Sequence, residues 1–229
     1  MAPHGPFSHT LRGIALFTLP AALVVLWLFH RCVKAPLVLA LSDSVQQRLI
    51  PYLGQFEFFP FARFALILLS ILVGIATHII WDSFTHPNSW LYDHWSFLRH
   101  TLYIPGWGYP RYCRVLQYFC SVLGLAILWV WAHRWYHTTK PADRGLDREL
   151  SSTGKVILLG VVPVLAFVGG LLRGIFEAHA HPQEARDAFI GAALVTTISL
   201  AWWQLVLCSF LVKCSFFTIS RGVTAADWP

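Results

Sequence analysis

FALILLSILVGIATHIIW, residues 64–81, is an 18-residue stretch without Asp, Glu, Lys or Arg that lies between Arg63 and Asp82. At 1.5 Å per residue, a helix of this length approaches the roughly 30 Å thickness of the hydrocarbon core of a bilayer. Backbone amides inside hydrocarbon must be paired within their own segment, so a single strand cannot cross it. The stretch therefore predicts a transmembrane helix.

Four further stretches have the same character, and they cover residues 13–30, 115–133, 156–172 and 188–212. The chain of 229 residues is 56% hydrophobic and 12% charged, whereas roughly 25% of the residues in a soluble domain are charged. The composition excludes an ordinary soluble domain. We predict an all-α polytopic membrane protein with about five transmembrane helices, forming one domain over residues 1–229. Gly169, Gly170 and Gly174 are expected to let helices pack closely.

The segment between the second and third helices is rich in aromatic residues, which favour the headgroup layer. Its apolar residues recur at spacings of four, three and four, which predicts a short interfacial helix: Leu91, Trp95, Leu98 and Leu102. Arg99 and Arg111 lie in the same segment and are candidates for contact with anionic headgroups. They are equally consistent with basic residues whose side chains simply reach out to the interface.

The basic residues indicate an orientation. Residues 31–63, 134–155 and 213–229 hold eleven of the 17 Lys and Arg residues, and the segments on the opposite side hold six. The positive-inside rule then favours an outside N-terminus and a cytoplasmic C-terminus in a multi-pass cell-membrane protein. Because topology accounts for the net charge of +6, we expect membrane lipids as partners and no nucleic acid. No sequence signal defines an oligomeric state. The five scattered cysteines form no CxxC pair or metal-ligand spacing, which favours a role in packing.

The end of the second helix carries the strongest chemical signal. His78, Asp82 and His86 follow one another at intervals of four residues and share one helical face. Pro87 disfavours helical geometry at His86, so the helix should end near Thr85. Two imidazoles and a carboxylate can bind a divalent cation such as zinc, and ionisable groups beside a membrane helix are costly enough to suggest function. Alternatively, His78 and Asp82 form a structural pair and His86 is an interfacial residue.

Histidines from other segments are expected on the same side of the membrane. Alternation of five helices places eight of the 11 histidines there, and His9, at the start of the first helix, is the fourth candidate ligand. An exposed N-terminal histidine is the competing interpretation. His179 and His181 form an HxH element after the fourth helix and are possible secondary ligands, although a solvated loop explains them equally well.

These motifs resemble a known bacterial membrane-protein family, domain of unknown function 4184. The resemblance rests on SHTL at residues 8–11, LWLFHR at 26–31, GIATHIIWDSFTHP at 74–87 and VLQY at 115–118. That family is distantly similar to membrane-bound metal-dependent hydrolases and to zinc-dependent phospholipase C. The resemblance implies a bacterial inner-membrane protein that binds a divalent metal, zinc by analogy, through His9, His78, Asp82 and His86. It lends no support to His179 or His181.

One departure from the family concerns the N-terminus. Members of the family begin with a segment carrying a His-Pro and a Pro-Asp element ahead of the Ser-His found here at Ser8 and His9. If those elements complete the metal shell, this chain is truncated at a misassigned start, has lost activity, or completes the shell from His4 or the HxH element. These alternatives stay open at the level of sequence.

The functional hypothesis is a metal-dependent hydrolase that acts on a phosphoester or lipid-type substrate at the membrane surface. A bound divalent ion can activate water and polarise a phosphoryl oxygen. The alternative is a non-catalytic membrane protein, or a small protein that translocates ions or protons, in which the His-Asp-His cluster is structural or part of a relay.

Overall fold

The helical architecture is seen in a computed structural model that describes residues 7–54, 56–87, 89–142, 148–182, 185–213 and 218–220. The helices are α1 (Leu11–Ala40), α2 (Asp43–Leu49), α3 (Phe61–Thr85), α4 (Trp90–His94), α5 (Ser96–Arg99), α6 (Tyr112–Thr138), α7 (Ser152–Ala180) and α8 (Ala185–Lys213). Five of them, α1, α3, α6, α7 and α8, are long and apolar enough to span a membrane. The predicted all-α fold with five transmembrane helices is confirmed.

A small antiparallel pair of strands accompanies the helices. Strand β1 (Arg148–Leu150) pairs with β2 (Thr218–Ser220), and Glu149 lies opposite Ile219. Leu150 is buried in an apolar cluster with Leu39 and Val212. The pair therefore attaches the segment after α8 to the segment that precedes α7.

The long helices extend beyond the charge-free stretches that predicted them. The second stretch covered residues 64–81, whereas α3 runs from Phe61 to Thr85 and includes Arg63 and Asp82. Likewise, α7 includes Lys155 and Arg173. A charged side chain near the end of a membrane helix reaches the interface while its backbone stays helical. Charge therefore marks where the hydrocarbon ends and not where the helix ends.

Three π-helical turns interrupt the long helices, each two or three residues before a proline. They span Ile14–Thr18, Phe29–Val33 and Ile157–Val161, and the prolines are Pro20, Pro36 and Pro163. A proline ring clashes with the carbonyl group four residues earlier in an α-helix. In all three cases that carbonyl belongs to the π-helical turn. The wider turn lets the helix continue past the proline.

The chain forms two compact units. The first comprises Met1–Val25 and Glu57–Thr138, and the second comprises Leu26–Phe56 and Thr139–Pro229. In the first unit, Tyr92, Leu98 and Cys113 form a buried cluster that packs the short helices α4 and α5 against α6. The prediction of a single domain over residues 1–229 stays a prediction.

The segment after α3 differs in detail from the single interfacial helix that was predicted. It forms α4 and α5, separated at Trp95, where the backbone is extended with φ −103° and ψ 97°. The chain then turns through Gly106 and Gly108, which have φ of 78° and 85°, values that glycine adopts without strain. Leu98 is buried, while Trp95 is exposed. The break at Trp95 removes the continuous apolar face that the spacing suggested.

In the second unit, α7 and α8 form a closely packed hairpin. A Cβ atom at Gly170 would lie 2.6 Å from the carbonyl oxygen of Ala193, and one at Gly174 would lie 2.9 Å from that of Phe189. Both distances are too short for a real Cβ contact. The glycines therefore permit the close approach of the two helices, as their spacing indicated.

Candidate metal centre

His9, His78 and Asp82 converge at one end of the first unit. The Nε2 atom of His78 lies 3.3 Å from Oδ2 of Asp82, and the Nε2 atom of His9 lies 3.9 Å from the same oxygen. The two imidazole rings meet edge to face, with centroids 5.8 Å apart. The ligand atoms of all three residues lie within 4.8 Å of one another. The start of α1 and the last turns of α3 thus supply one cluster.

The spacing of these atoms fits a metal ion. Two ligands bound at about 2 Å to a tetrahedral ion lie roughly 3.3 Å apart. The distance from His78 to Asp82 matches that value. His9 lies 3.9 Å from Asp82, and the three ligand atoms lie within 4.8 Å of one another, so His9 must move toward the other two ligands to share one ion with them. Two imidazole nitrogens and a carboxylate oxygen form a donor set suited to zinc. The residues present therefore fit a divalent metal.

A tight turn brings His9 to the cluster. Residues Phe7–His9 form a 3-10 turn, after which Thr10 caps α1. The Thr10 hydroxyl donates to the Phe7 carbonyl at 2.8 Å and accepts from the Gly13 amide at 3.0 Å. A side chain at Gly13 would overlap the Phe7 carbonyl. Gly13 therefore lets the turn fold back against the helix and fixes His9 in place.

Gly13 and Thr10 were not singled out by the sequence. A threonine at the start of an apolar stretch is a capping signal. That signal predicts where a helix begins, but not which earlier carbonyl folds onto it. The role of these residues depends on the path of the backbone from Phe7 to His9, which only the structure reveals.

His86 contacts the other oxygen of Asp82. The helix ends at Thr85, as Pro87 predicted, and the extended backbone at His86 brings Nδ1 to 3.5 Å from Oδ1 of Asp82. The same nitrogen lies 3.2 Å from the hydroxyl of the fully buried Thr85. His9 and His78 approach Oδ2. Within this geometry His86 orients the carboxylate from the side opposite to the two imidazoles.

The cluster is accessible on one side. The side chain of Asp82 is 20% exposed and that of His9 is 29% exposed, whereas that of His78 is 64% exposed. Three protein ligands and an open approach resemble the arrangement of a catalytic zinc site, in which the fourth position is left for water or substrate. A closed structural site would instead surround the ion with four protein ligands.

The HxH element forms a separate arrangement in the second unit. His181 Nε2 lies 3.5 Å from Oε2 of Glu177, whose other oxygen pairs with Arg173. His179 Nδ1 lies 2.8 Å from the Ile175 carbonyl oxygen. Glu177 therefore shares its charge between a guanidinium and an imidazole. The described geometry is that of an exposed ion-pair network at the end of α7.

The remaining candidate site residues are two arginines and one histidine. Arg99, at the end of α5, and Arg111, in the bridge to Thr101, are both exposed. Among the described residues, neither pairs with an acidic side chain. The two exposed guanidinium groups are suited to contact with lipid headgroups. That contact stays a prediction. His4, which the sequence offered as a substitute ligand, lies outside the described residues.

The fold and the cluster together define a class: a polytopic α-helical membrane protein with a histidine–carboxylate centre at the end of its transmembrane helices. The chain belongs to the family described as domain of unknown function (DUF4184), whose model matches residues 1–210. The family resemblance seen in the motifs is thereby confirmed. Neither the curated proteins nor the solved structures yield a match.

Proposed function

We propose that the protein is a metal-dependent hydrolase that acts on a phosphoester at the membrane surface. The observation that carries the proposal is the convergence of His9, His78 and Asp82 from two different helices, with their ligand atoms within 4.8 Å of one another. Histidines scattered at a membrane surface for solubility alone have no reason to meet a carboxylate in this way.

Each residue of the cluster has a distinct task in this proposal. His9 and His78 would hold a zinc-like ion through Nε2, and Asp82 would hold it through Oδ2. His86, which is itself held by the Thr85 hydroxyl, would keep the Asp82 carboxylate oriented, as the partners of metal ligands commonly do. When bound, the ion supplies Lewis acidity toward a phosphoryl oxygen and lowers the pKa of a water ligand toward neutrality. The exposed side of His78 is the direction from which substrate enters.

The proposed location is the outer face of a bacterial inner membrane. The excess of Lys and Arg in residues 31–63, 134–155 and 213–229 favours a cytoplasmic C-terminus. His9 and His78 would then lie at the opposite face. A fluorescent-protein fusion at the C-terminus should be fluorescent in cells, since that reporter matures in the cytoplasm. An alkaline phosphatase fusion there should be inactive.

Metal content is the direct test. Protein purified in detergent and exposed to zinc should hold about one ion per chain, and His78→Ala and Asp82→Asn should each lose most of it. His100→Ala is the matched control, because His100 is an exposed histidine of the same unit that joins no ligand cluster in the part of the chain that the structure describes. Wild-type protein that binds no metal above the level of Asp82→Asn would refute the proposal.

A second candidate is a metal-free cluster that is structural or relays protons. The observation that favours it is that three imidazoles already surround Asp82, at 3.3, 3.5 and 3.9 Å. Protonated imidazoles would then neutralise the carboxylate without an ion. In that case ion or proton flux in proteoliposomes would depend on Asp82, and added zinc would leave the thermal stability unchanged.

A further inference from the structure

An apolar groove runs from the metal cluster down between α1 and α3. It has a volume of about 370 Å³, which lies within the range of roughly 300–1,000 Å³ that small-molecule sites occupy. Its lining residues are His9, Thr18, Ala22, Ile71, Gly74, Ile75, His78 and Ile79. The two imidazoles belong to the metal cluster, and five of the other six residues are apolar or glycine. The groove is therefore polar at one end and apolar along its length.

The groove extends deep into the membrane-spanning part of both helices. Ile71 precedes His78 by seven residues and thus lies roughly 10 Å further along α3. Ala22 follows Leu11, the first residue of α1, by eleven residues, roughly 16 Å along that helix. A ligand that fits the groove has a polar end at the cluster and an apolar body between α1 and α3. Such a ligand is an amphiphile.

We propose that the groove holds one hydrocarbon chain of a lipid whose phosphate group lies at His9, His78 and Asp82. This inference rests on the proposed function and names its substrate class: a membrane lipid with a phosphoester headgroup. Another transmembrane helix does not fit, because a helix about 10 Å across occupies roughly 800 Å³ over 10 Å of its length. A single acyl or isoprenyl chain is slender enough.

Charge at the mouth of the groove favours an anionic headgroup. Arg12 follows His9 by one turn at the start of α1, and it is exposed but does not itself line the groove. It pairs with no acidic side chain among the described residues. A divalent ion would outweigh the single carboxylate of Asp82, so the mouth would carry net positive charge. Phosphate is the complementary group.

The groove would act by positioning the substrate rather than by adding affinity. Lipid tails are as apolar as leucine side chains, so moving a tail from bilayer to groove gains little hydrophobic free energy. A chain held between α1 and α3 does, however, fix the phosphate next to the cluster, and misplacement by 1 Å can cost about a hundredfold in rate. Blocking the groove should therefore impair long-chain substrates selectively.

Gly74 provides the means to block it. It lines the groove, and a Cβ atom added there meets no protein atom within 4 Å. The Cβ of a leucine at this position would thus meet no clash, and the rest of its side chain would take up space in the groove. Gly124 on α6 is the matched control, since its Cβ would also meet nothing within 4 Å and it does not line the groove. Gly74→Leu and Gly124→Leu change hydrophobicity and helix propensity equally.

The first measurement is binding, and it does not depend on turnover. Wild type and both variants are reconstituted with phosphatidylglycerol that carries a photoreactive diazirine on one acyl chain, and adducts are mapped by mass spectrometry. We expect adducts at Thr18, Ala22, Ile71 and Ile75 in wild type and in Gly124→Leu, and a loss of at least severalfold in Gly74→Leu. Equal labelling in Gly74→Leu would overturn the inference.

The second measurement is hydrolysis of two substrates with the same scissile bond, hexadecyl p-nitrophenyl phosphate and methyl p-nitrophenyl phosphate. Gly74→Leu should lower kcat/KM for the hexadecyl ester by roughly tenfold to a hundredfold, and should leave the methyl ester and the zinc content unchanged. Hydrolysis of both esters with no effect of Gly74→Leu would refute the groove and support the proposed function. Groove labelling without hydrolysis of either ester would refute the proposed function and support the groove as a lipid site.

Discussion

The Nε2 atom of His9 lies 3.9 Å from Oδ2 of Asp82, which joins the start of α1 to the end of α3. A metal at this position would link the two helices as well as serve catalysis. A ligand that binds only the folded state stabilises it, by about 2.7 kcal/mol at a hundredfold excess over Kd. Zinc should therefore raise the unfolding temperature of the wild type in detergent.

His9→Ala should abolish most of this stabilisation, because His9 is the ligand that the turn before α1 contributes to the cluster among the described residues. Thermal unfolding with and without zinc measures the effect, and His100→Ala serves as the control. An equal rise in unfolding temperature in His9→Ala and wild type would show that α1 does not share the ion.

Gly13→Ala should weaken zinc binding although Gly13 touches no metal. The added methyl group would overlap the Phe7 carbonyl and displace the turn that carries His9. Changes to residues that position metal ligands typically cost about 10–100-fold in affinity, and we expect a loss in that range by competition with a chelating dye. Gly124→Ala, which enters open space, should bind zinc as the wild type does. Unchanged affinity in Gly13→Ala would show that the turn does not hold His9.

His86→Ala should lower zinc affinity by about tenfold while leaving one ion per chain. The reason is that His86 approaches Oδ1 of Asp82, whereas the other imidazoles approach Oδ2. Stoichiometry from elemental analysis and affinity from dye competition separate the two quantities. Complete loss of the ion would instead identify His86 as a direct ligand.

Acidification should release the metal, because protons compete for the imidazole nitrogens that bind it. Zinc content should be near one ion per chain at about pH 7.5 and should fall severalfold at about pH 5, below the ordinary range of histidine. A cluster that holds no zinc at either pH would favour the metal-free interpretation.

Gly170→Ala should destabilise the α7–α8 hairpin by about 1–3 kcal/mol, the usual cost of overpacking. The new methyl group would lie 2.6 Å from the Ala193 carbonyl oxygen. Gly191→Ala on α8 enters open space and should be neutral or stabilise by roughly 0.5–1 kcal/mol, since alanine is the better helix former. Thermal unfolding of the two variants in the same detergent makes the comparison. Equal unfolding temperatures would contradict close packing at Gly170.

Hydropathy was sufficient to predict the five long helices, because a membrane leaves few alternatives to a continuous apolar helix. The alternation of those helices placed His9 on the same side as Asp82 and made it a candidate ligand, and the spacing of His78, Asp82 and His86 followed from helical periodicity. These features depend on order along the chain and on constant helix geometry. They need no knowledge of how side chains pack.

Other features depend on packing or on local backbone detail and were beyond the sequence. The ends of α3 could not be read from Arg63 and Asp82, since both residues are helical. His9 and His78 approach one oxygen of Asp82 and His86 approaches the other. Which oxygen each imidazole meets depends on the rotation of the Asp82 side chain. The break between α4 and α5 at Trp95 interrupts a regular apolar spacing that by itself favoured one helix.

The π-helical turn at Ile14–Thr18 accommodates Pro20, and it also sets how far the residues before it are rotated about the axis of α1. Such a turn contains one residue more than an α-helix needs, and each residue rotates the chain by roughly 100° about the helix axis. If that extra residue were deleted, His9 and Ala22 would no longer face the same neighbour. The turn that accommodates Pro20 thus sets the rotational phase of α1, and in the proposed lipid complex that phase lets His9 and Ala22 face the headgroup and the tail of the same lipid.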